Sequence, residues 1–323
     1  MKNRIVMITG ANSGIGKAAA KQFAKDDYTV IMACRNIDAS QKAREEIVTS
    51  TSNTKLEVMK LDISSFESIY QFVNEFNSKY DKLDILIHNA AYFNHGANHT
   101  LSKEGIELTF ATNVVGPYLL TNLLVKQLKK SSDARVLNAG SNIIKHFFDP
   151  KREIDLNNVT GEYKSNEKFT VYKMYCQSKM ALTMLTFKMA DEYKTEGIKI
   201  NALQINGAKM SKETLQKITL KYRMVAFVQN LFFRPPSYMA HNYYEICTSD
   251  RFKDSTGMLF NDKLEMMTPA LAESQGFIKE MVRIIGTSTY PTYAENKEMR
   301  EEIMNVCKNL TESTLNNQSV LSK

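Results

Sequence analysis

Two rhythms alternate along the first 205 residues. Short, mostly apolar runs occur at RIVMIT (4–9), YTVIMA (28–33), KLEVMKL (55–61), LDILIH (83–88), ARVLNA (134–139) and IKINALQ (198–204). Between them lie segments of helical period. In SFESIYQFVNEFNSKY (65–80), Phe66, Ile69, Phe72, Val73, Phe76 and Tyr80 share one helical face. Strand and helix alternating at this spacing predict an α/β fold, a parallel sheet with helices on both faces. Near-continuous apolar strands suit a sheet that is covered on both sides.

The rhythm changes after residue 206. The run 215–236 reads as a helix stopped by the Pro235–Pro236 pair, and 237–249 reads as a second helix. GMLFND (257–262) reads as a last short strand, and 273–285 and 294–312 as helices before a polar, frayed tail. With no internal repeat and no low-complexity linker, the chain divides into one domain over 1–262 and a helical C-terminal extension over 263–323.

The 323 residues suffice for a sizeable buried core. The formal charge of +7 comes from scattered lysines with no long basic run, which argues against nucleic-acid binding. Cys34, Cys176, Cys247 and Cys307 are too few for a disulfide scaffold and have no close metal-ligand spacing, so a reducing, cytoplasmic setting is expected. No secretory pattern opens the chain, and no stretch of membrane-span length is expected. The Asn-x-Thr tripeptides at Asn98, Asn158 and Asn309 therefore carry no weight.

Chemistry first appears in ITGANSGIGKAAA (8–20), directly after the first apolar run. A triphosphate-cleaving loop reads G-x-x-x-x-G-K-[ST]. Here five residues separate Gly10 from Gly16, and Ala18 stands where the magnesium-binding hydroxyl belongs. The pattern Gly10-x-x-x-Gly14-x-Gly16 suits a dinucleotide instead: glycines admit backbone amides to a pyrophosphate, and the helix that follows offers unpaired N–H groups. At the end of the second strand an Asp or Glu would bond the ribose 2′-hydroxyl of NAD. The chain has Cys34 there, followed by Arg35, whose guanidinium pairs with a 2′-phosphate, so NADP(H) is expected over NAD(H).

Tyr175 and Lys179 stand four apart in a helical pattern and so share a face. A nearby ammonium favours a phenolate, which equips the pair for proton exchange with an alcohol or ketone. Pro117, four residues after Asn113, has no N–H for the Asn113 carbonyl and leaves it available to another partner. His88, His95 and His99 fall close together, but strand and loop rather than helix carry them, so no metal site is expected. The Met- and Phe-rich run after the sixth strand reads as a core-packing helix or as a lid over a lipophilic substrate.

Taken together, TGANSGIG and Tyr175-x-x-x-Lys179 resemble the short-chain dehydrogenase/reductase family. Asp62 in KLDIS stands at that family's adenine-bonding position, HNAA (88–91) stands where the family usually has N-N-A-G, and the run 102–141 resembles its retinol-dehydrogenase-type branch, the likeness spanning about residues 4–262. The resemblance implies a Rossmann-type doubly wound sheet of about seven parallel strands. It implies Tyr175 as proton donor and acceptor, and Lys179 as modulator of Tyr175 and ligand of the nicotinamide ribose. Ser141 would polarise the carbonyl, and Asn113 would anchor a relay water. Gly10, Asn12, Ser13, Gly14, Ile15, Gly16, Arg35, Asp62, Ile63, Asn89, Ala90 and Gly207, with Tyr175 and Lys179, would line the cofactor. Residues of about 207–240 would form the substrate loop, and the family habit is a homodimer or homotetramer. The expected activity is hydride transfer to or from a medium-to-large apolar carbonyl or alcohol; the alternative is a non-catalytic NADP(H)-binding regulator. Gly140, His88, Asn206 and Met210 depart from the family pattern.

Overall fold

The computed structural model describes residues 4–94, 98–159, 169–209, 230, 233–270 and 286–321. Seven strands form one parallel sheet: β1 (Ile5–Thr9), β2 (Thr29–Cys34), β3 (Leu56–Lys60), β4 (Ile85–His88), β5 (Ala134–Ser141), β6 (Ile198–Ile205) and β7 (Leu259–Phe260). Their order in space is β3-β2-β1-β4-β5-β6-β7. The order reverses between β1 and β4, and such a switch point opens a crevice at the C-terminal ends of the strands.

Each strand side has its own core, as strands buried on both faces require. On one, Met7, Leu86 and Val136 meet α3 (Phe66–Lys79), α5 (Gly116–Leu128) and α6 (Val171–Glu192). On the other, Ile8, Val30, Ile87 and Leu137 meet Phe23 of α1 (Gly14–Lys25) and Tyr243 of α7 (Pro236–Thr248). The predicted face of α3 is the buried one: Phe66, Ile69, Phe72, Val73 and Phe76 all lie in the core, and the Ser65 hydroxyl caps the helix by accepting from the Ser68 amide. Asn36 caps α2 (Ile37–Thr51) in the same way, accepting from the Ala39 amide.

The expectation of no span-length apolar stretch is corrected by Leu108–Leu128, which is long and apolar enough to cross a membrane. It is mostly buried inside this fold, as a core helix passing between sheet and solvent-side helices would be. The stretch comprises α4 (Leu108–Phe110), a π-helical turn over Ala111–Val115, and α5. The Gly116 amide donates to the Ala111 carbonyl, five residues back. The wide turn stands where Pro117 supplies no N–H, so the expected irregularity is present as a π turn.

The C-terminal extension packs on this body. Ile303, Met304 and Cys307 of α8 (Lys297–Leu321) are buried in the same core as α6. The helix runs on past the expected end at 312, into the stretch read as frayed. Two-residue strands β8 (Thr268–Pro269) and β9 (Thr289–Tyr290) pair in parallel and were not foreseen. The helix expected over 273–285, and nearly all of that over 215–236, lie outside the described residues.

Gly116 fixes how closely α5 approaches the chain after β3. A Cβ there would lie 2.0 Å from the Ile63 carbonyl oxygen. Backbone cannot yield as a flexible side chain does, so Gly116→Ala should cost about 3 kcal/mol, the upper end for overpacking. Urea unfolding of the variant measures this; an unchanged midpoint would show that α5 can slide.

Candidate active site

The glycine corner leads from β1 into α1 at the switch point. The Gly10 amide donates to the Ala33 carbonyl at 2.8 Å, tying the corner to β2. A Cβ on Gly16 would lie 2.4 Å from the Gly10 carbonyl oxygen and 2.5 Å from Asn89 Nδ2, so only glycine fits beneath the turn. Asn89 braces the corner from the end of β4: its Nδ2 donates to the Thr9 carbonyl at 3.0 Å and to that of Gly10 at 3.3 Å. Ser13 stands at the N-cap of α1 with no capping side-chain bond, leaving the first-turn amides open to an anion.

Two cavities meet around this corner. The larger, about 960 Å³, is lined by Gly10, Asn12, Ser13, Gly14, Arg35, Asp62, Ile63, Asn89 and Ala90 among others. The smaller, about 530 Å³, contains Ile15, Asn89, Ser141, Tyr175, Lys179, Asn206, Gly207 and Phe233. Every expected cofactor residue thus lies on one of the two, except Gly16, which packs the corner from below. Asp62 is held by Ser64, whose amide and hydroxyl both donate to its Oδ1, and its Oδ2 stands 3.9 Å from Arg35. The site fits a dinucleotide: its corner is a cradle that a Cβ would fill, and its helix terminus presents free donors.

α6 carries Tyr175 and Lys179 to the smaller cavity, opposite Ser141 at the end of β5. Ser141 hydrogen-bonds to the Tyr175 phenol, which pulls its pKa down, but burial is the larger effect and holds it above the ordinary value. Lys179 Nζ donates to the Ala139 carbonyl at 2.8 Å and lies 5.8 Å from the centre of the Tyr175 ring. Burial lowers its pKa to about 8. The expected lowering of the phenol by the ammonium is therefore not what dominates here. Lys179 is itself pushed toward the neutral form, and the group that lowers the phenol is Ser141.

Asn113 is a clamp as well as part of the π turn. Its Oδ1 accepts from the Tyr92 amide at 2.8 Å, and its Nδ2 donates to the Tyr92 carbonyl at 3.2 Å and to Ser178 Oγ at 3.0 Å. It joins the chain after β4 to α6 between Tyr175 and Lys179. The clamp delivers a residue that periodicity did not single out: Phe93 stacks on Tyr175, ring centres 4.3 Å apart and planes 24° apart. Phe93 also approaches Tyr172, one helical turn before Cys176, at 6.4 Å. Both rings are substantially exposed. Phe233 was missed as a site residue too; its ring lies so close to Gly207 that a Cβ there would come within 2.7 Å of it.

The departures have identifiable places. His88 is buried on the α5 side of the sheet, with Nε2 2.8 Å from the Thr121 hydroxyl, and burial drives its pKa down to about 3. It is a neutral core residue. His99 packs edge-on against Phe169, and His95 lies outside the described residues, as does Met210. Asn206 Oδ1 accepts from Gln204 Nε2 at 3.2 Å.

A doubly wound sheet with an open glycine corner facing a half-buried tyrosine and a buried lysine is the arrangement of a dinucleotide-dependent oxidoreductase. Comparison with known proteins agrees. The short chain dehydrogenase family model matches residues 4–148. Human retinol dehydrogenase 13 is 30% identical over 283 residues, covering 83% of this chain and 78% of that protein. Bovine retinol dehydrogenase 12 is 36% identical over 195 residues, covering 60% of this chain and 58% of that protein. Among solved structures, a short chain dehydrogenase from Shigella flexneri complexed with NADP superposes with a TM-score of 0.62 at 21% identity, covering 81% of this chain and 98% of that one, a likeness of fold. The chain belongs to the short-chain dehydrogenase/reductase family, in its retinol-dehydrogenase-like branch.

The environment of Lys179 generates a measurable expectation. Its ammonium should titrate near pH 8 in the ligand-free protein, against 10.5 in an unfolded chain. Between those values the unfolded state binds more protons, so this group makes stability rise with pH across that window. NMR titration of the lysine side-chain resonances, assigned with Lys179→Met, checks this; a midpoint above pH 10 would contradict the burial.

Proposed function

We propose that the protein is an NADP(H)-dependent oxidoreductase that interconverts a medium-to-large apolar carbonyl compound and its alcohol. The observation that carries the reading is the meeting of Tyr175, Ser141 and Lys179 on the same cavity as Ile15 and Gly207. When bound, the nicotinamide supplies or accepts the hydride. The chain's own residues position the substrate and move the proton. Ser141, which hydrogen-bonds to the Tyr175 phenol in the ligand-free site, turns its one hydroxyl proton to the substrate oxygen and polarises it. Tyr175, protonated at neutral pH as any ordinary phenol is, delivers its proton to that oxygen as charge develops there during reduction. Lys179 stands behind the phenol, braced on the Ala139 carbonyl, and would hold the ribose of a bound cofactor. Asn113 fixes the segment that closes over Tyr175, and its main-chain carbonyl in the π turn holds the relay water.

Arg35, on the rim of the larger cavity, favours a 2′-phosphate over the bare ribose hydroxyl. The apolar substrate class rests on Phe93, Tyr172 and Phe233, aromatic surfaces around the catalytic tyrosine, and accords with the retinol dehydrogenase names of the relatives. A reducing compartment accords with four buried, unpaired thiols.

NADPH oxidation with a panel of apolar aldehydes and ketones tests this. Tyr175→Phe should lower kcat at least about a hundredfold, the usual range for loss of a positioned acid. Alcohol oxidation should accelerate from pH 7 to 9, because it requires the phenol to lose its proton, whereas reduction should not. Tight NADPH binding without turnover on any member of the panel would support a regulator instead. Phe93→Ala should raise KM for the apolar substrates several-fold and leave NADPH affinity unchanged; equal KM values would remove the aromatic ledge from substrate binding.

A further inference from the structure

Lys17 and Glu46 have no part in the roles assigned above. Lys17 lies in the first turn of α1, after the last glycine of the corner, and Glu46 lies on α2. Their side chains meet across the cleft, Nζ to Oε2 2.6 Å. Both line the larger cavity together with Ser13, Arg35 and Asn36. This is the end of the cavity where Arg35 leaves β2, and so the end at which a 2′-phosphate would lie.

The charges at this end are arranged in two pairs. Lys17 is held by Glu46, and Arg35 stands 3.9 Å from Asp62. Neither pair is sealed from water: the Glu46 side chain is 67% exposed and that of Arg35 71%. Partly exposed pairs of this kind are held weakly against a better partner. A phosphate monoester is that partner, carrying close to two negative charges and three acceptor oxygens. The ribose hydroxyl of NAD(H) offers Lys17 nothing to exchange for a carboxylate.

We propose that Lys17 is a second cationic ligand of the 2′-phosphate, released from Glu46 when that phosphate arrives, and that Glu46 opposes it by charge. The two residues together then set how strongly the protein prefers NADP(H) to NAD(H). This rests on the NADP(H) reading of Arg35 and extends it across the cleft to α1 and α2. Lys17 lies four residues after Ser13, whose carbonyl accepts from its amide at 3.1 Å, so its backbone is fixed while the side chain swings.

Isothermal titration with adenosine 2′,5′-bisphosphate and with 5′-AMP isolates the 2′-phosphate without any catalytic readout. Lys17→Met should weaken the bisphosphate about tenfold, or about 1.4 kcal/mol, and leave 5′-AMP within about twofold. Glu46→Gln should tighten the bisphosphate several-fold and leave 5′-AMP unchanged. Equal loss of both ligands in Lys17→Met would place the lysine on the 5′-phosphate side and overturn the proposal. No loss of either, with both variants melting earlier than the wild type, would make the pair a strut between α1 and α2, and would overturn it too. The underlying reading is tested separately by the wild type and Arg35→Ala: a wild type that binds both ligands equally removes the NADP(H) preference itself, and the proposal with it.

Discussion

The chain can turn from β1 into α1 only because nothing projects from Gly16. A side chain there would strike the Gly10 carbonyl, and the corner would have to open. Closure of that corner places the open end of α1 at the crevice between β1 and β4, where the strand order reverses. Asn89 then ties the end of β4 to the same turn through two backbone carbonyls. The glycine-corner end of the cleft is thus set by backbone geometry and one braced amide, and the charged residues around it stand on a shape that already exists.

The other end of the cleft depends on burial. Tyr175 and Lys179 are presented by α6, most of whose residues are buried between sheet and C-terminal helix. Desolvation raises the phenol and lowers the ammonium, so both groups are driven toward their neutral forms. An isolated Tyr–Lys pair on a solvated helix would behave differently, the ammonium favouring phenolate. Here Ser141 is the group that tempers the phenol, and the clamp of Asn113 lays Phe93 over its ring. The chemistry proposed for the site therefore belongs to the packing of α6 as much as to the residues that name it.

Much of this was legible in the chain. Six strands follow from β-branched runs, and α3 from a single apolar face, because both are periodic signals that burial enforces. The glycine corner, Arg35, Tyr175 and Lys179 were readable because close backbone approach and paired side-chain chemistry leave few alternatives in residue type. Other features carried no local signal. Strands β8 and β9 are two residues each, too short for any period. The stacking of Phe93 on Tyr175 joins positions 82 residues apart, and nothing near either one announces the other. The Lys17–Glu46 pair spans two helices that only the sheet brings together. Leu108–Leu128 shows the reverse: its apolar character is visible in sequence, but its place as a core helix depends on what surrounds it.

A crystal structure of the protein with NADPH bound tests the central claim most directly. The account predicts the pyrophosphate on the first-turn amides of α1 and the nicotinamide in the smaller cavity, with its ring facing Tyr175 and Ser141. A dinucleotide bound elsewhere, or a nicotinamide turned away from Tyr175, would contradict it.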